Sequence, residues 1–283
     1  MTAKRILTLS CRDTVGIVAA VSTFLAGRGE FITESQQYAD LEMGRFFMRV
    51  TYDTASGDLA SDKVAFDAVA MQFGLDWTMV DPAIPMRVVI AASRFGHCLN
   101  DLLHRWRTST LPVEISAVVS NHEDLRGLVE WHGVDFVHLP VTKETRPAQE
   151  QELLDLIDER GSEMLILARY MQVLSPDLCT RLAGRCINIH HSFLPSFRGA
   201  KPYHQAHQRG VKLIGATAHF VTADLDEGPI IEQAIERIDH STSADAMVAV
   251  GRDAESIVLA RAVTWAAERR ILLNGSKTVV FRR

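Results

Sequence analysis

The chain has 283 residues, of which 47% are hydrophobic and 23% charged, and its formal net charge at pH 7 is −5. This length predicts about two domains, the composition is typical of globular proteins, and the negative charge argues against binding nucleic acid by neutralising phosphates. The apolar stretches are far shorter than the roughly 20 residues that span a bilayer, and four scattered cysteines indicate reduced thiols, so we expect a cytoplasmic protein.

The first 80 residues follow the order strand, helix, strand, strand, helix, strand. Alternating or continuous apolar residues predict the strands, and apolar residues three or four apart predict the helices. The predicted strands are 6–9, 31–38, 44–51 and 75–80, and the helices are 15–25 and 64–73. A βαββαβ order predicts a ferredoxin-like sandwich, with the helices on one face of an antiparallel sheet.

A short segment with two prolines, Pro82 and Pro85, separates this region from the rest of the chain. Proline resists both the helix interior and the central strand of a sheet, so this segment predicts a boundary. We therefore divide the chain into a domain at 1–80, a linker at 81–86 and a second domain at 87–283.

After the linker, strands and helices alternate, which predicts a doubly wound, mostly parallel, Rossmann-like α/β sheet. The segment 87–92 is a nearly continuous apolar run of the kind found in strands buried on both faces. The further predicted strands are 115–120, 136–139, 164–168, 186–190, 214–222 and 229–237, and the helices are 99–106, 123–131, 147–160 and 244–267.

Two side chains that can do chemistry lie at the carboxyl end of the predicted strand 186–190. Asn188 and His190 are two residues apart and therefore share one side of the strand. Ligands of open α/β sheets lie at this end, where an amide N–H stabilises an oxyanion and an imidazole exchanges protons. The alternative stays open at this point: Asn188 caps a loop and His190 binds a carbonyl oxygen.

Asp226 is a third candidate, within the acidic turn Asp224–Leu225–Asp226–Glu227 that precedes Gly228. Such a turn is usually solvated, and it gains a catalytic role only where it folds back against the Asn–His pair. A carboxylate there orients an imidazole.

Metal and nucleotide sites have little support in the sequence. His190 and His191 are adjacent and face opposite ways on a strand, and His204 and His207 lack acidic or thiolate partners at ligand spacing, so we expect no metal. No glycine-rich nucleotide motif is present, and we expect no tightly bound cofactor.

Longer motifs resemble a known superfamily. The run 187–231, INIHHSFLPSFRGAKPYHQAHQRGVKLIGATAHFVTADLDEGPII, is similar to the catalytic core of folate-dependent formyltransferases and hydrolases, and LARYMQVLSPDL at 167–178 is similar to their pterin-bordering loop. The segment CRDTVGIVAAVSTFLAGRG at 11–29 resembles an ACT domain. This combination resembles the formyltetrahydrofolate deformylase family over nearly the whole chain.

The resemblance implies a hydrolase that converts 10-formyltetrahydrofolate and water to formate and tetrahydrofolate, balancing the one-carbon pool and supplying formate for purine synthesis. It implies that Asn188, His190 and Asp226 are catalytic and that His219 supports them. It also implies that two segments frame the folate substrate through backbone groups: Met171, Gln172, Val173 and Leu174, and Val221, Thr222, Ala223 and Asp224.

Two departures from the resemblance leave alternatives. The loop after strand 87–92 has one glycine, Gly96, and bulky side chains, which disfavours a phosphorylated amine as acceptor. Phe31 stands where ACT domains commonly present an effector-binding Asn, although Asp13 and Gly16 remain in the effector loop. We therefore expect a homo-oligomer through the ACT-like domain and treat an amino-acid effector as doubtful. The alternatives are transfer of the formyl group to a small amine and a non-catalytic amino-acid sensor.

Overall fold

A computed structural model describes residues 3–55, 58–192, 194 and 202–282. The chain forms two compact units, which meet along the sequence between Pro85 and Met86. Unit 1 contains Met1–Pro85, Glu268–Asn274 and Val279–Arg283, and unit 2 contains Met86–Ala267 and Gly275–Thr278. No helix in the described ranges is both long enough and apolar enough to cross a membrane.

Unit 1 is built on a four-stranded antiparallel sheet with the order β2-β3-β1-β4. Two helices pack against it, and the apolar core between them includes Val21, Phe66 and Met79. The elements are β1 (Ala3–Arg12), α1 (Ile17–Gly27), β2 (Phe31–Asp40), β3 (Arg45–Thr54), α2 (Leu59–Phe73) and β4 (Asp76–Val80). This is the predicted βαββαβ order, and it is the arrangement expected of an ACT-like domain.

The C-terminal segment also belongs to unit 1, whereas the division made from the sequence left it within 87–283. The reason is electrostatic, because Arg270 lies 3.2 Å from a carboxylate oxygen of Glu34 and donates to the carbonyl oxygen of Phe281. Arg49 pairs with the same Glu34 at 2.8 Å. A carboxylate on β2 therefore ties the end of the chain to the antiparallel sheet.

Unit 2 is a seven-stranded sheet with the order β11-β10-β9-β8-β5-β6-β7. Strands β5 to β9 pair in parallel, and β10 and β11 continue the sheet in antiparallel pairing. The strands are β5 (Met86–Ala92), β6 (Val113–Ser120), β7 (Phe136–His138), β8 (Met164–Leu167), β9 (Cys186–His190), β10 (Leu213–Phe220) and β11 (Ile230–Arg237).

Helices cover this sheet, and buried residues of the central strands form its core. The helices are α3 (His97–Arg107), α4 (Arg126–Trp131), α5 (Arg146–Glu159), α6 (Pro176–Arg181), α7 (Pro202–Arg209) and α8 (Ala244–Ala267). The predicted fold class is confirmed for both regions. The sequence missed the short helix α6, which Ser175 caps by accepting a hydrogen bond from the backbone N–H of Leu178, and the terminal hairpin of β12 (Ile271–Asn274) and β13 (Lys277–Val280).

Candidate active site

The carboxyl end of β9 and the turn between β10 and β11 form the candidate site. β9 pairs with β8 in parallel and with β10 in antiparallel register, so its final residues lie at the middle of the sheet rather than at an edge. Asn188 and His190, two residues apart, both line a cavity of about 350 Å³ at this end. The structure thus places the two side chains where ligands of open α/β sheets bind.

The turn that carries Asp226 is held close to β10 by its backbone. Asp226 has a φ of 59°, a left-handed conformation that is uncommon for residues other than glycine. Two residues later, a side chain at Gly228 would collide with the carbonyl oxygen of Phe220. The absence of a side chain at Gly228 therefore lets the turn fold back onto the strand and bring Asp226 to the cavity.

Asp226 meets His190 directly. Its Oδ1 lies 3.2 Å from Nδ1 of His190, and it is the ring's partner on that side. A carboxylate accepts only, so Nδ1 of His190 carries the proton in this pair. The opposite nitrogen, Nε2, is buried and has no hydrogen-bond partner among the described residues. The imidazole is oriented by one nitrogen and offers the other for chemistry.

His219 fixes the amide of Asn188. Nδ1 of His219 lies 2.8 Å from the carbonyl oxygen of Phe220, so the proton is on Nδ1 and Nε2 accepts. The Nδ2 of Asn188 lies 3.2 Å from that Nε2 and donates one of its two hydrogens to it. The amide orientation is thereby set, and the second hydrogen on Nδ2 is left for a ligand. We call Asn188, His190, His219 and Asp226 the reaction cluster.

The charges in the reaction cluster follow from burial and from these contacts. Burial by itself would raise the pKa of Asp226, but the hydrogen bond and positive charge of His190 outweigh it and lower that pKa below its ordinary value. Burial lowers the pKa of His219, which keeps its ring neutral at pH 7. An ionised carboxylate and a neutral supporting imidazole therefore flank His190.

The loop after β8 forms another wall of the cavity, and neighbouring side chains hold it in place. The hydroxyl of Ser93, at the end of β5, accepts from the backbone N–H of Met171 at 3.0 Å. From α5, Gln149 donates to the phenol oxygen of Tyr170 at 3.0 Å, and Glu150 accepts from the backbone N–H of Ser175 at 2.9 Å. The loop is therefore anchored at both ends.

The cavity gathers most of the residues predicted from the sequence. Of that set, Asp224 is exposed and is not part of the lining, and its carbonyl oxygen accepts from the hydroxyl of Thr222 instead. The predicted lining residues are Met171, Gln172, Val173, Leu174, Val221, Thr222 and Ala223, together with the four residues of the reaction cluster. Four more lining residues belong to the loop 167–178 that the resemblance implied or to the acidic turn 224–227 but were not singled out: Leu167, Arg169, Tyr170 and Leu225. The lining residues outside those two segments, which the sequence missed, are Cys179, Ile189 and His191.

His191 corrects an argument made from strand alternation. Strand alternation predicts that it lies on the opposite side from His190, but β9 ends at His190 and the alternation ends with it. Both histidines line the cavity, with ring centroids 4.7 Å apart. Burial, together with the positive charge of Arg169, lowers the pKa of His191 to about 4.

Comparison with known proteins gives a consistent result. The family model for formyl transferases matches residues 86–263. A formyltetrahydrofolate deformylase of Corynebacterium sp. (strain P-1) is 49% identical over 281 residues, covering 99% of this chain and 98% of that protein. The crystal structure of a formyltetrahydrofolate deformylase from Burkholderia mallei superposes with a TM-score of 0.96 at 50% identity, covering 99% of this chain and all of that one. The chain belongs to the formyltetrahydrofolate deformylase family.

Transferases share one part of this deformylase-family chain. A glycinamide ribonucleotide transformylase from Symbiobacterium toebii superposes with a TM-score of 0.65 at 30% identity, covering 70% of this chain and 94% of that one. The match to the deformylase from Burkholderia mallei, by contrast, extends over nearly the whole chain. The likeness to the transferase is thus limited to about the length of unit 2.

Behind the cavity of this deformylase-family chain, Glu255 on α8 accepts two hydrogen bonds and pairs with an arginine. Its Oε2 lies 2.7 Å from Nε2 of His97 and 3.3 Å from Nε of Arg169, and its Oε1 accepts from the hydroxyl of Tyr203 at 2.9 Å. We call these four residues the rear cluster. Burial by itself would raise the pKa of Glu255, but the hydrogen bond from His97 and the charge of Arg169 outweigh it and lower that pKa.

Cys98 lies beside the rear cluster, and together with His97 and Glu255 it is close enough to suggest a metal site. Their chemistry does not suit a cation. Arg169 already places a positive charge against Glu255, and burial raises the pKa of the Cys98 thiol, which keeps it protonated. The carboxylate is better explained as the acceptor of hydrogen bonds from His97 and Tyr203 and as the ion-pair partner of Arg169.

The predicted effector loop lies in unit 1, before α1. Gly16 is the N-cap of that helix with a φ of 101°, where a residue with a side chain would be strained. Asp13 is exposed, and its backbone N–H donates to the carbonyl oxygen of Gly44. The effector site stays a prediction.

Proposed function

We propose that this chain hydrolyses 10-formyltetrahydrofolate to formate and tetrahydrofolate, through the reaction cluster. The observation that carries the proposal is the contact chain that runs from Asp226 through His190, with the oriented amide of Asn188 beside it, at one wall of the cavity. Membership of the deformylase family supports the same reaction. The enzyme is then a hydrolase of one-carbon metabolism.

The first step is attack of water on the formyl carbon. A new C–O bond forms, the carbonyl electron pair moves to oxygen, and a tetrahedral intermediate results. Water gives one proton to Nε2 of His190 as it attacks. The available N–H of Asn188, which is oriented before the reaction, and the N–H that this transfer creates at Nε2 then stabilise the oxyanion. Asp226 keeps the imidazole oriented through Nδ1.

The second step breaks the bond between the formyl carbon and N10. The intermediate collapses, the electron pair passes to N10, and N10 takes a proton that His190 is placed to deliver through Nε2. The attacking water has lost a proton to the same Asp226–His190 pair, so the imidazole is returned to its starting state. The products are tetrahydrofolate and formic acid, which ionises to formate in solution.

We further propose that the pterin ring lies between the loop 171–174 and the segment 221–224. Both segments border the cavity, except for Asp224, and both are held by backbone hydrogen bonds, such as that from Val221 to the carbonyl oxygen of Cys186. Backbone groups fixed in this way can recognise a flat heterocycle inside a mostly apolar wall.

The test is formate release from 10-formyltetrahydrofolate by the purified protein with no amine added. We expect the wild-type protein to release formate in water alone. Asp226→Asn should lose most of this activity, because a neutral amide replaces the negatively charged partner of His190. Asp253→Asn, an exposed aspartate on α8, is the matched control. A requirement for an added amine would favour the transferase alternative, and full activity of Asp226→Asn would contradict the assigned role.

The remaining expectations also stand as proposals. We propose that residues 1–80 serve as an ACT-like regulatory or oligomerisation domain, followed by the linker 81–86 and a catalytic domain in 87–283, of which 268–274 and 279–283 group with unit 1. A homo-oligomer, an amino-acid effector near Asp13 and Gly16, and catalysis without a tightly bound cofactor are predictions of the same kind.

A further inference from the structure

Arg169 stands out among the cavity residues because of its backbone. It is the second residue after β8 and has a φ of 63°, in the left-handed region, which costs a residue with a side chain on the order of 1 kcal/mol or more. Its side chain is 11% exposed and borders the cavity. A strained, nearly buried cation at the wall of a cavity suggests a role for its charge.

The rear cluster holds the guanidinium in one orientation. Nε of Arg169 lies 3.3 Å from Glu255, whose side chain is 1% exposed, and the guanidinium carbon lies 5.6 Å from the ring centre of Phe95. No hydrogen bond from the two terminal nitrogens of Arg169 is found among the described residues. The ion pair at Nε therefore anchors the arginine, and its two terminal NH2 groups stay available.

Buried polar atoms beside Arg169 also lack partners. Within the described part of unit 2, the buried side-chain atoms with no hydrogen bond are Nε of Arg169, Nε2 of His190, Nδ1 of His191 and the hydroxyl of Ser192. Buried polar atoms of this kind are costly unless something satisfies them. Arg169, His190 and His191 line the same cavity, so a polar ligand at this end can contact all three residues.

We propose that Arg169 and His191 form a subsite for a small carboxylate, which holds the formate product beside His190. This proposal rests on the proposed function for the identity of its ligand. A guanidinium fork matches the two oxygens of a carboxylate, and an imidazole N–H adds a further donor. The positive charge borders the same cavity as the histidine that acts on the formyl carbon, which is where the anion is formed.

The other carboxylates in the reaction belong to the glutamate of the folate. They are separated from N10 by an aromatic ring, and their charges are best placed in solvent. Arg169, in contrast, sits against the buried Glu255. That partner also weakens the net positive charge at the subsite, which suits a product that must leave after each turnover.

The first measurement is binding of ¹³C-labelled sodium formate to the folded protein without folate, followed by NMR line broadening. We expect binding to wild type and a loss of roughly 10- to 100-fold in Arg169→Met, the range that charged hydrogen bonds provide. Arg252→Met is the matched control, because Arg252 stacks on the same Phe95 ring at 5.9 Å but does not border the cavity. It should bind formate as wild type does.

Arg169→Lys keeps the charge and loses the fork, so we expect intermediate formate binding, and it serves as the test if Arg169→Met does not fold. No binding by wild type, equal binding by folded Arg169 variants, or an equal loss in Arg252→Met would each overturn the proposal. Thermal unfolding of every variant shows which ones are folded.

A second arm separates formate from the folate glutamate. KM is measured for 10-formyltetrahydrofolate and for its analogue without glutamate, 10-formyltetrahydropteroate. If Arg169→Met raised KM only for the substrate that carries glutamate, the arginine would bind the tail and the proposal would fall. Formate binding in a protein that does not release formate from 10-formyltetrahydrofolate would defeat the proposed function and leave the carboxylate subsite standing.

Discussion

The reaction cluster and the rear cluster use the same kinds of side chain in opposite ways. Each pairs a carboxylate with histidine: Asp226 with His190 at 3.2 Å, and Glu255 with His97 at 2.7 Å. Glu255 is almost completely buried and both of its oxygens accept hydrogen bonds, whereas Asp226 lies in a turn and leaves its histidine with an unpartnered nitrogen in the cavity.

The difference shows that a carboxylate–histidine pair does not itself indicate catalysis. In the rear cluster each carboxylate oxygen accepts a hydrogen bond, so the contacts stabilise the fold, and the ion pair holds Arg169 in place. In the reaction cluster each contact orients a group and leaves another of its atoms available. The expected effects of substitution therefore differ in kind, with activity lost in one cluster and stability in the other.

The largest expected effect of a substitution in either cluster is the loss of activity in His190→Ala. We expect kcat to fall by about 10³-fold, since a positioned acid–base group contributes on the order of 10²- to 10⁴-fold. His204→Ala, an exposed histidine on α7, is the control and should keep wild-type turnover. Steady-state formate release measures both variants, and a loss of less than about tenfold in His190→Ala would be inconsistent with its role.

The next effect should be on stability, in Glu255→Ala. Removing the carboxylate leaves Arg169 without its counter-charge and two further donors unpaired, and breaking a buried pair costs roughly 3–5 kcal/mol of the free energy of unfolding. Glu130→Ala removes an exposed partner of Arg126, for which we expect at most about 1 kcal/mol. Urea titration measures the free energy of unfolding of both variants. Equal decreases would contradict the structural role assigned to the rear cluster.

Asn188→Ala should lower kcat by roughly 10²- to 10³-fold, the usual effect of removing one oxyanion donor. The free energy of unfolding should change little, because Asn188 is partly exposed and His219 keeps its hydrogen bond to the carbonyl oxygen of Phe220. Asn100→Ala, an exposed position on α3, is the control. If Asn188→Ala raised KM while kcat stayed the same, Asn188 would bind substrate rather than stabilise the transition state.

The smallest effect is a pH dependence of stability at His191, the residue that borders the cavity beside the reaction cluster. Its pKa is lowered to about 4 in the folded state, while an unfolded histidine titrates near 6.5. Between these values the unfolded state binds more protons, so the free energy of unfolding falls as the pH is lowered.

From about pH 7 to about pH 5, His191 should contribute a loss of about 1 to 2 kcal/mol. His191→Gln should remove that part of the slope and His204→Gln should leave it in place. Urea titrations at the two pH values are the measurement, and identical slopes for wild type and His191→Gln would contradict the buried, neutral state of His191.

The sequence predicts most of the fold because its strands carry strong local patterns. The apolar run of β5 and the βαββαβ order of the first 80 residues reappear in the structure. What a local pattern cannot show is long-range pairing. Arg270 joins the first sheet through Glu34, more than two hundred residues away in sequence, and nothing in the segment 268–274 signals that partner.

The same limit applies to the site. Period-two alternation placed Asn188 and His190 on one side of β9, but it gave the wrong side for His191, since the strand had already ended. Arg169 lies in the loop that the resemblance implied, but it was not singled out, because a charged residue after a buried strand usually faces solvent. Its cavity position depends on a left-handed φ and on Glu255, a residue of a distant helix.

Gly228 has a consequence for how this site can be altered. The backbone contact that it permits with Phe220 sets the distance between the turn and β10, independently of the outward-facing side chains of the turn. An exposed position such as Asp224 can therefore be exchanged without moving the carboxylate at Asp226. The turn separates a part that must keep its geometry from a part that is open to redesign, and an altered preference for folate derivatives can be sought in the second part.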